Sequence, residues 1–213
     1  MPLIYKIRRW LFRHFQENFL IYFILSSVFA IGIIIGAITI KVLKAEQVDN
    51  MIIFLNSFFK AMEVNGFDNL SILKQSIIDN FKTIGLVLGT GLIIVGIGII
   101  PIVIMFRGFA IGFTVGFIVN EFGFKGFLFS ILGILPQNLL IIPGIISISS
   151  IGMAFSINNI KKRNLGFKNN RYNSNIANYL FLILFFSAIV LIGTLIEAFI
   201  SSNFLSTLAD YFN

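Results

Sequence analysis

Cysteine is absent from this 213-residue chain, and histidine and tryptophan each occur once. Without thiols there is no disulfide, no thiolate nucleophile and no thiolate metal site, and redox compartment leaves no trace. Charge is also scarce: Asp, Glu, Lys and Arg make up 12% of the chain, against 57% hydrophobic residues and a mean hydropathy of +0.95. Soluble domains do not carry that balance, so the bilayer is the solvent. The apolar mass is aliphatic and phenyl surface, with 26 Phe against five Tyr, and has little polar capacity.

The catalytic inventory is correspondingly thin. His14 stands in a basic segment with no Ser and Asp arrangement beside it, and neither an H-E-x-x-H pair nor a Gly-Lys-Thr phosphate loop occurs. No two acidic residues share an apolar run, so the carboxylate pair that intramembrane hydrolysis would need is missing. The expectation is a protein without catalytic residues, cofactor or metal.

The formal charge of +7 raises the question of nucleic acid, and its placement answers it. Arg8, Arg9 and Arg13 precede the first apolar run, and Lys161, Lys162, Arg163, Lys168 and Arg171 precede the last. Lysine and arginine at membrane edges encode topology, so nucleic acid is not an expected partner and both segments are assigned to the cytoplasm.

One membrane domain, 1–213, is expected to contain several parts. Residues 1–18 form a cytoplasmic basic amphipathic segment suited to an anionic interface. The run 19–40 is too long for a cleaved signal core and reads as a retained first span, with Gly32 and Gly36 a small-xxx-small step on one face. Segment 41–82 carries five positive and five negative charges and two amphipathic patterns, divided by Asn65-Gly66, and is placed outside the membrane. The 24 uncharged residues 83–106 are the second span, with Pro101 kinking it near its end. Residues 108–120 are a short third block; either they cross and 127–156 follows as a long kinked span, or 108–136 re-enters as a broken hairpin. After the basic cytoplasmic loop 157–176, 177–200 crosses last. The fold class is thus all-α: a polytopic transmembrane helical bundle of about five spans, N-terminus cytoplasmic and C-terminus extracytoplasmic.

Three features are candidate sites. Gly108, Gly112 and Gly116 align on one helical face with Phe113 and Phe117 beside them, which serves close packing within the chain, a homodimer seam or a path lining. Pro136-Gln137-Asn138 places two carboxamides and a missing backbone donor inside an apolar stretch. They either satisfy backbone groups freed at a kink or line a polar path of the kind found in broken transporter helices. Glu121 and Lys125 are i, i+4 neighbours at the outer turn. Arg107 and Glu197 lie on opposite membrane sides in this topology and are not expected to meet.

The stretch 107–143, RGFAIGFTVGFIVNEFGFKGFLFSILGILPQNLLIIP, resembles the stage II sporulation protein M family, through G-F-T-V-G-F at 112–117, G-F-K-G-F-L at 123–128 and L-P-Q-N-L at 135–139. Weaker likeness covers nearly the whole chain, including Gly36-Ala37, Asp79-Asn80-Phe81-Lys82 and Glu197. The resemblance implies a non-catalytic scaffold in the cell membrane. Such a scaffold recruits and positions two peptidoglycan hydrolases, the stage II sporulation proteins D and P, at the septum for forespore engulfment. Composition alone leaves a second reading, a channel or transporter with its polar path at 108–143. Lipid is a partner in both.

Overall fold

The computed structural model describes residues 12–65, 69–93, 95–164 and 172–201. The expected amphipathic start through residue 11, the middle of the basic loop and the tail beyond 201 lie outside the described residues. Within them the backbone is almost wholly helical and holds no strand, as it must where no water can satisfy a free peptide group. Six helices follow in order: α1 (Phe19–Thr39, extended by a 3-10 turn Ile40–Val42), α2 (Ala45–Asn65), α3 (Asn69–Leu92), α4 (Gly96–Gly133), α5 (Leu135–Asn164) and α6 (Tyr172–Ile196). A π-helical turn, Glu197–Ser201, ends α6.

Among the described residues four stretches are long and apolar enough to cross a membrane: Phe19–Val42, Gly96–Gly133, Leu135–Ile160 and Tyr179–Ser201. A fifth rod, α3, runs the length of the same bundle despite its charges. Its buried stripe is Ser76, Asn80, Ile84, Val87 and Gly91, spaced at helical period along one face. Ile84 and Val87 join Leu25, Ile100, Ile104, Ile148 and Val190, so that five helices contribute to one core.

Helix directions follow from what touches what. Phe29, Ile33 and Ala37 of α1 lie against Gly108, Gly112 and Gly116 of α4 in the same order, so α1 and α4 run parallel. Thr90 faces Gly96 while Asn80 and Thr83 face Arg107, so α3 and α4 form an antiparallel hairpin. Likewise Gly144 meets Val190 and Gly193 meets Ile141, making α5 and α6 antiparallel.

The boundaries differ from the sequence reading in two places. Residues 83–106 are not one span: α3 ends at Leu92 and α4 starts at Gly96, so the stretch is the end of one rod and the start of the next. The turn between them is apolar, because α5 supplies the polar groups it lacks. Ser156 and Asn159 donate to the carbonyls of Ile93 and Leu92 at 2.7 and 3.3 Å, and Tyr179 of α6 donates to Leu88 at 3.2 Å. The last carbonyls of α3, orphaned by the helix end, are satisfied from neighbouring helices. Consequently the second half of segment 41–82 belongs to the bundle and not to an outer layer, and Pro101 falls in the second turn of α4 rather than near the end of a span.

The second difference concerns Gly108–Asn120, which is the continuation of α4 beyond Arg107 and no separate span. The chain reverses at Gly123, whose φ of 56° and ψ of −131° no L side chain adopts comfortably. Residues 124–133 fold back so that Gly126 lies against the Ile118 carbonyl. At this end a second cluster forms from Ile40, Phe117, Ile118 and Phe129, and Val48, Met51 and Ile52 of α2 pack onto it.

Candidate functional site

The candidate site is a polar chain enclosed between α3, α4 and the π turn of α6. Asn80, which is buried on α3, accepts from the Arg107 guanidinium at 2.7 Å through its side-chain oxygen. Thr83, one turn on, accepts from the same Nη2 at 2.9 Å, and the backbone carbonyl of Asp79 lies at 3.3 Å. In the other direction Asn80 Nδ2 donates to Ser76 Oγ at 3.4 Å, and Ser76 donates to the Glu197 carboxylate. A guanidinium and a carboxylate are thereby joined through two neutral side chains, each of which both donates and accepts. Opposite charges in hydrocarbon demand such partners, because an unpaired one is strongly disfavoured.

Arg107 and Glu197 therefore share one network, against the sequence reading that set them on opposite sides. The cause is the misplaced second span. With α4 beginning at Gly96, Arg107 is eleven residues into a helix and level with Phe29 in the middle of α1, since Phe29 packs on the adjacent Gly108. Glu197 reaches inward because it opens a π turn, a geometry that recurs where a helix re-aims a side chain.

Gln137 and Asn138 lie beside this chain. Gln137 Nε2 donates to the Gly133 carbonyl at 2.7 Å and its Oε1 accepts from Ser201 Oγ at 2.6 Å, so it ties the α4–α5 break to the end of α6. Asn138 Nδ2 donates to the Ile134 carbonyl at 2.7 Å. Both carboxamides bond carbonyls that a continuous helix would have satisfied with backbone N–H groups, one turn ahead. Pro136 sits in the first turn of α5, where its missing donor costs little. Arg107, Asn138 and apolar side chains including Phe29, Ile104 and Ile141 line a cavity of about 10 Å³, room for a single water.

The three glycines are placed elsewhere. A Cβ built on Gly108 would lie 2.3 Å from the Phe29 carbonyl oxygen, and one on Gly112 would lie 2.1 Å from that of Ile33. Gly116 approaches the Cα of Ala37. From the other side, Gly32 and Gly36 press on the carbonyls of Met105 and Phe109. Two glycine ladders thus interlock, backbone on backbone, within one chain. Phe113 is half-buried near Gly36 and Phe117 is buried in the end cluster with Ile40. Glu121 accepts from Asn120 at 2.9 Å, and Glu121 and Lys125 flank the reversal at Gly123.

At the opposite end, Arg13 pairs with Glu17 at 2.8 Å, which holds its guanidinium above the usual range. His14 accepts from Asn18 at 3.3 Å, and burial lowers its pKa from 6.5. Together with Asn158 and Tyr179 they line an open recess of about 380 Å³.

Sequence reasoning missed Ser76 and Asn80 because it assigned 41–82 to an outer layer, and Thr83 because it assigned that residue to the start of a separate span. The signal was present in the stripe 76, 80, 84, 87, 91, which continues unbroken across residue 82.

Long apolar helices, backbone-to-backbone glycine contacts and a charge pair neutralised inside the bundle define a polytopic α-helical membrane protein. The family model for Stage II sporulation protein M matches residues 25–202, and the chain belongs to that sporulation family. The match takes in most of the first described span, the polar chain and the π turn, the greater part of the sequence. No curated protein and no solved structure matches it.

Proposed function

We propose that this chain is a non-catalytic scaffold of the cell membrane that positions peptidoglycan hydrolases, the stage II sporulation proteins D and P, during engulfment. The observation that carries the reading is an apolar platform at one end of the bundle. There α2 seats Val48, Met51 and Ile52 on the end cluster while Phe54 stays 70% exposed. Val42 at 78% and Phe124 at 73% exposure lie at the same end, on the approach to α2 and just past the Gly123 reversal. Apolar surface of this kind marks protein or membrane contacts.

Arg13 and the basic residues Lys161, Lys162 and Arg163 belong to the opposite end of the helices. The asymmetry of positive charge orients that end to the cytoplasm and the platform to the outside, where the cell wall is. Hydrolysis in this reading belongs to the partners, and the scaffold's own task is a fixed geometry, which interlocked glycine ladders supply. The closed Arg107–Glu197 chain, whose polar groups bond one another and of which Arg107 alone lines a one-water cavity, favours this rigid role over a conduit.

The test is capture of both hydrolases from sporulating membranes by chains carrying Phe54→Asp or Phe124→Asp. Loss of capture with an unchanged melting profile is expected. Undiminished capture by the double variant would remove the platform as the docking surface.

A further inference from the structure

One face of α3 does not suit the lipid it would meet. Lys74, Gln75, Asp79 and Lys82 point away from the bundle, with Gly85 and Gly89 continuing the same face below them. Asp79 and Lys82 pair at 3.3 Å with their side chains 52% and 70% exposed. Their depth is fixed by Arg107, which reaches the Asp79 carbonyl and Thr83 and is level with Phe29 midway along α1. From Phe29 the outer end of the span, Val42, is about 20 Å away at 1.5 Å per residue, further than a lysine reaches by snorkelling. An ion pair opening sideways at mid-depth must be covered by something other than acyl chains.

We propose that a second copy of this chain covers it, with α3 packed on α3 about a twofold axis along the membrane normal. Such an axis brings equal depths together and makes the contact isologous. The face matches itself under that operation. Asp79 and Lys82 are one turn apart and of opposite sign, so each Asp79 meets the partner's Lys82 and each Lys82 meets the partner's Asp79. Gly85 and Gly89 give the room: a Cβ built on either finds nothing within 4 Å, so a helix backbone can approach. The glycines at 108, 112 and 116 are unavailable for this role, because α1 occupies them. Lipid headgroups sit at the interface and do not reach a face that carries both signs at mid-depth.

The cysteine-free sequence permits the test in native membranes with the full chain. Gly89→Cys is expected to oxidise to a disulfide-linked dimer, while Leu184→Cys, on the exposed side of α6, stays monomeric. In detergent, Asp79→Lys is expected to convert the dimer to a monomer by light scattering, and adding Lys82→Asp to restore the dimer. The proposal falls if Gly89→Cys links to a protein of another mass, or reacts with a membrane-impermeant maleimide instead of dimerising. It falls equally if Leu184→Cys dimerises as readily. These readouts involve no hydrolase, so their failure leaves the scaffold reading untouched.

Discussion

At the same depth in the bundle, α4 meets two neighbours in opposite ways. Toward α1 it presents Gly108, Gly112 and Gly116, and the contact is backbone against backbone. Toward α3 it presents Arg107, and the contact is a chain of hydrogen bonds ending on Glu197. The first seam depends on the absence of atoms and tolerates none added. The second depends on the presence of charges and tolerates none removed. In lipid, where apolar side chains gain little by leaving the solvent, close packing and polar bonding are the two remaining ways to hold helices together.

The largest effect should come from the polar seam. Arg107→Leu leaves Glu197 without its distant counter-charge and should cost about 3–5 kcal/mol in thermal unfolding in nanodiscs. Arg107→Leu with Glu197→Leu should recover most of that. A single variant no less stable than the double one would mean that the two charges are not coupled. On the glycine seam, Gly112→Ala forces the Ile33 backbone away and should cost about 3 kcal/mol. The same change at Gly98, where nothing lies within 4 Å, should stabilise by about 0.5–1 kcal/mol, the ordinary preference of helices for alanine. Equal melting shifts at 98 and 112 would mean that the glycine seam does not depend on close backbone contact.

Gln137→Leu removes the partner of Ser201 and of the Gly133 carbonyl, and a loss of about 1–2 kcal/mol is expected. Hydrogen exchange should locate that loss in 133–138 and in the last turn of α6. The smallest effect concerns the basic end. Burial holds the folded pKa of His14 below 6.5, so the undocked form takes up the proton first. Docking of residues 12–18 is then fully favoured above about pH 6.5 and weakens as pH falls through the window below it. Amide exchange in 12–18, corrected for intrinsic rate, should rise toward about pH 5, and His14→Gln should abolish the rise.

Hydropathy and charge asymmetry made the helical membrane class legible, and α1 was located almost to the residue because it is a single uninterrupted apolar run. The turn between α3 and α4 escaped because Leu92, Ile93 and Gly96 carry no polar mark of a helix end; the groups that cap it, Ser156 and Asn159, lie far along the chain. Once that turn was missed, Arg107 slid to a membrane edge and its pairing with Glu197 became invisible. The glycine face at 108–116 lies against the α1 backbone, and sequence spacing does not say which backbone approaches such a face. That choice depended on Gly32 and Gly36 standing at matching heights on α1, a three-dimensional register. Lys74, Asp79 and Lys82 were read as signs of an outer segment, since a window average counts charge without asking which side of the helix holds it.

The route from Arg107 to Glu197 also sets an order of assembly. Ser76, Asn80 and Arg107 are synthesised early, while the carboxylate that completes their circuit sits in the final helix. Until α6 inserts, the hydrogen-bonded chain that starts at Arg107 lacks the carboxylate on which it ends. The last described helix thus acts as a keystone that closes a polar circuit begun by the earlier ones.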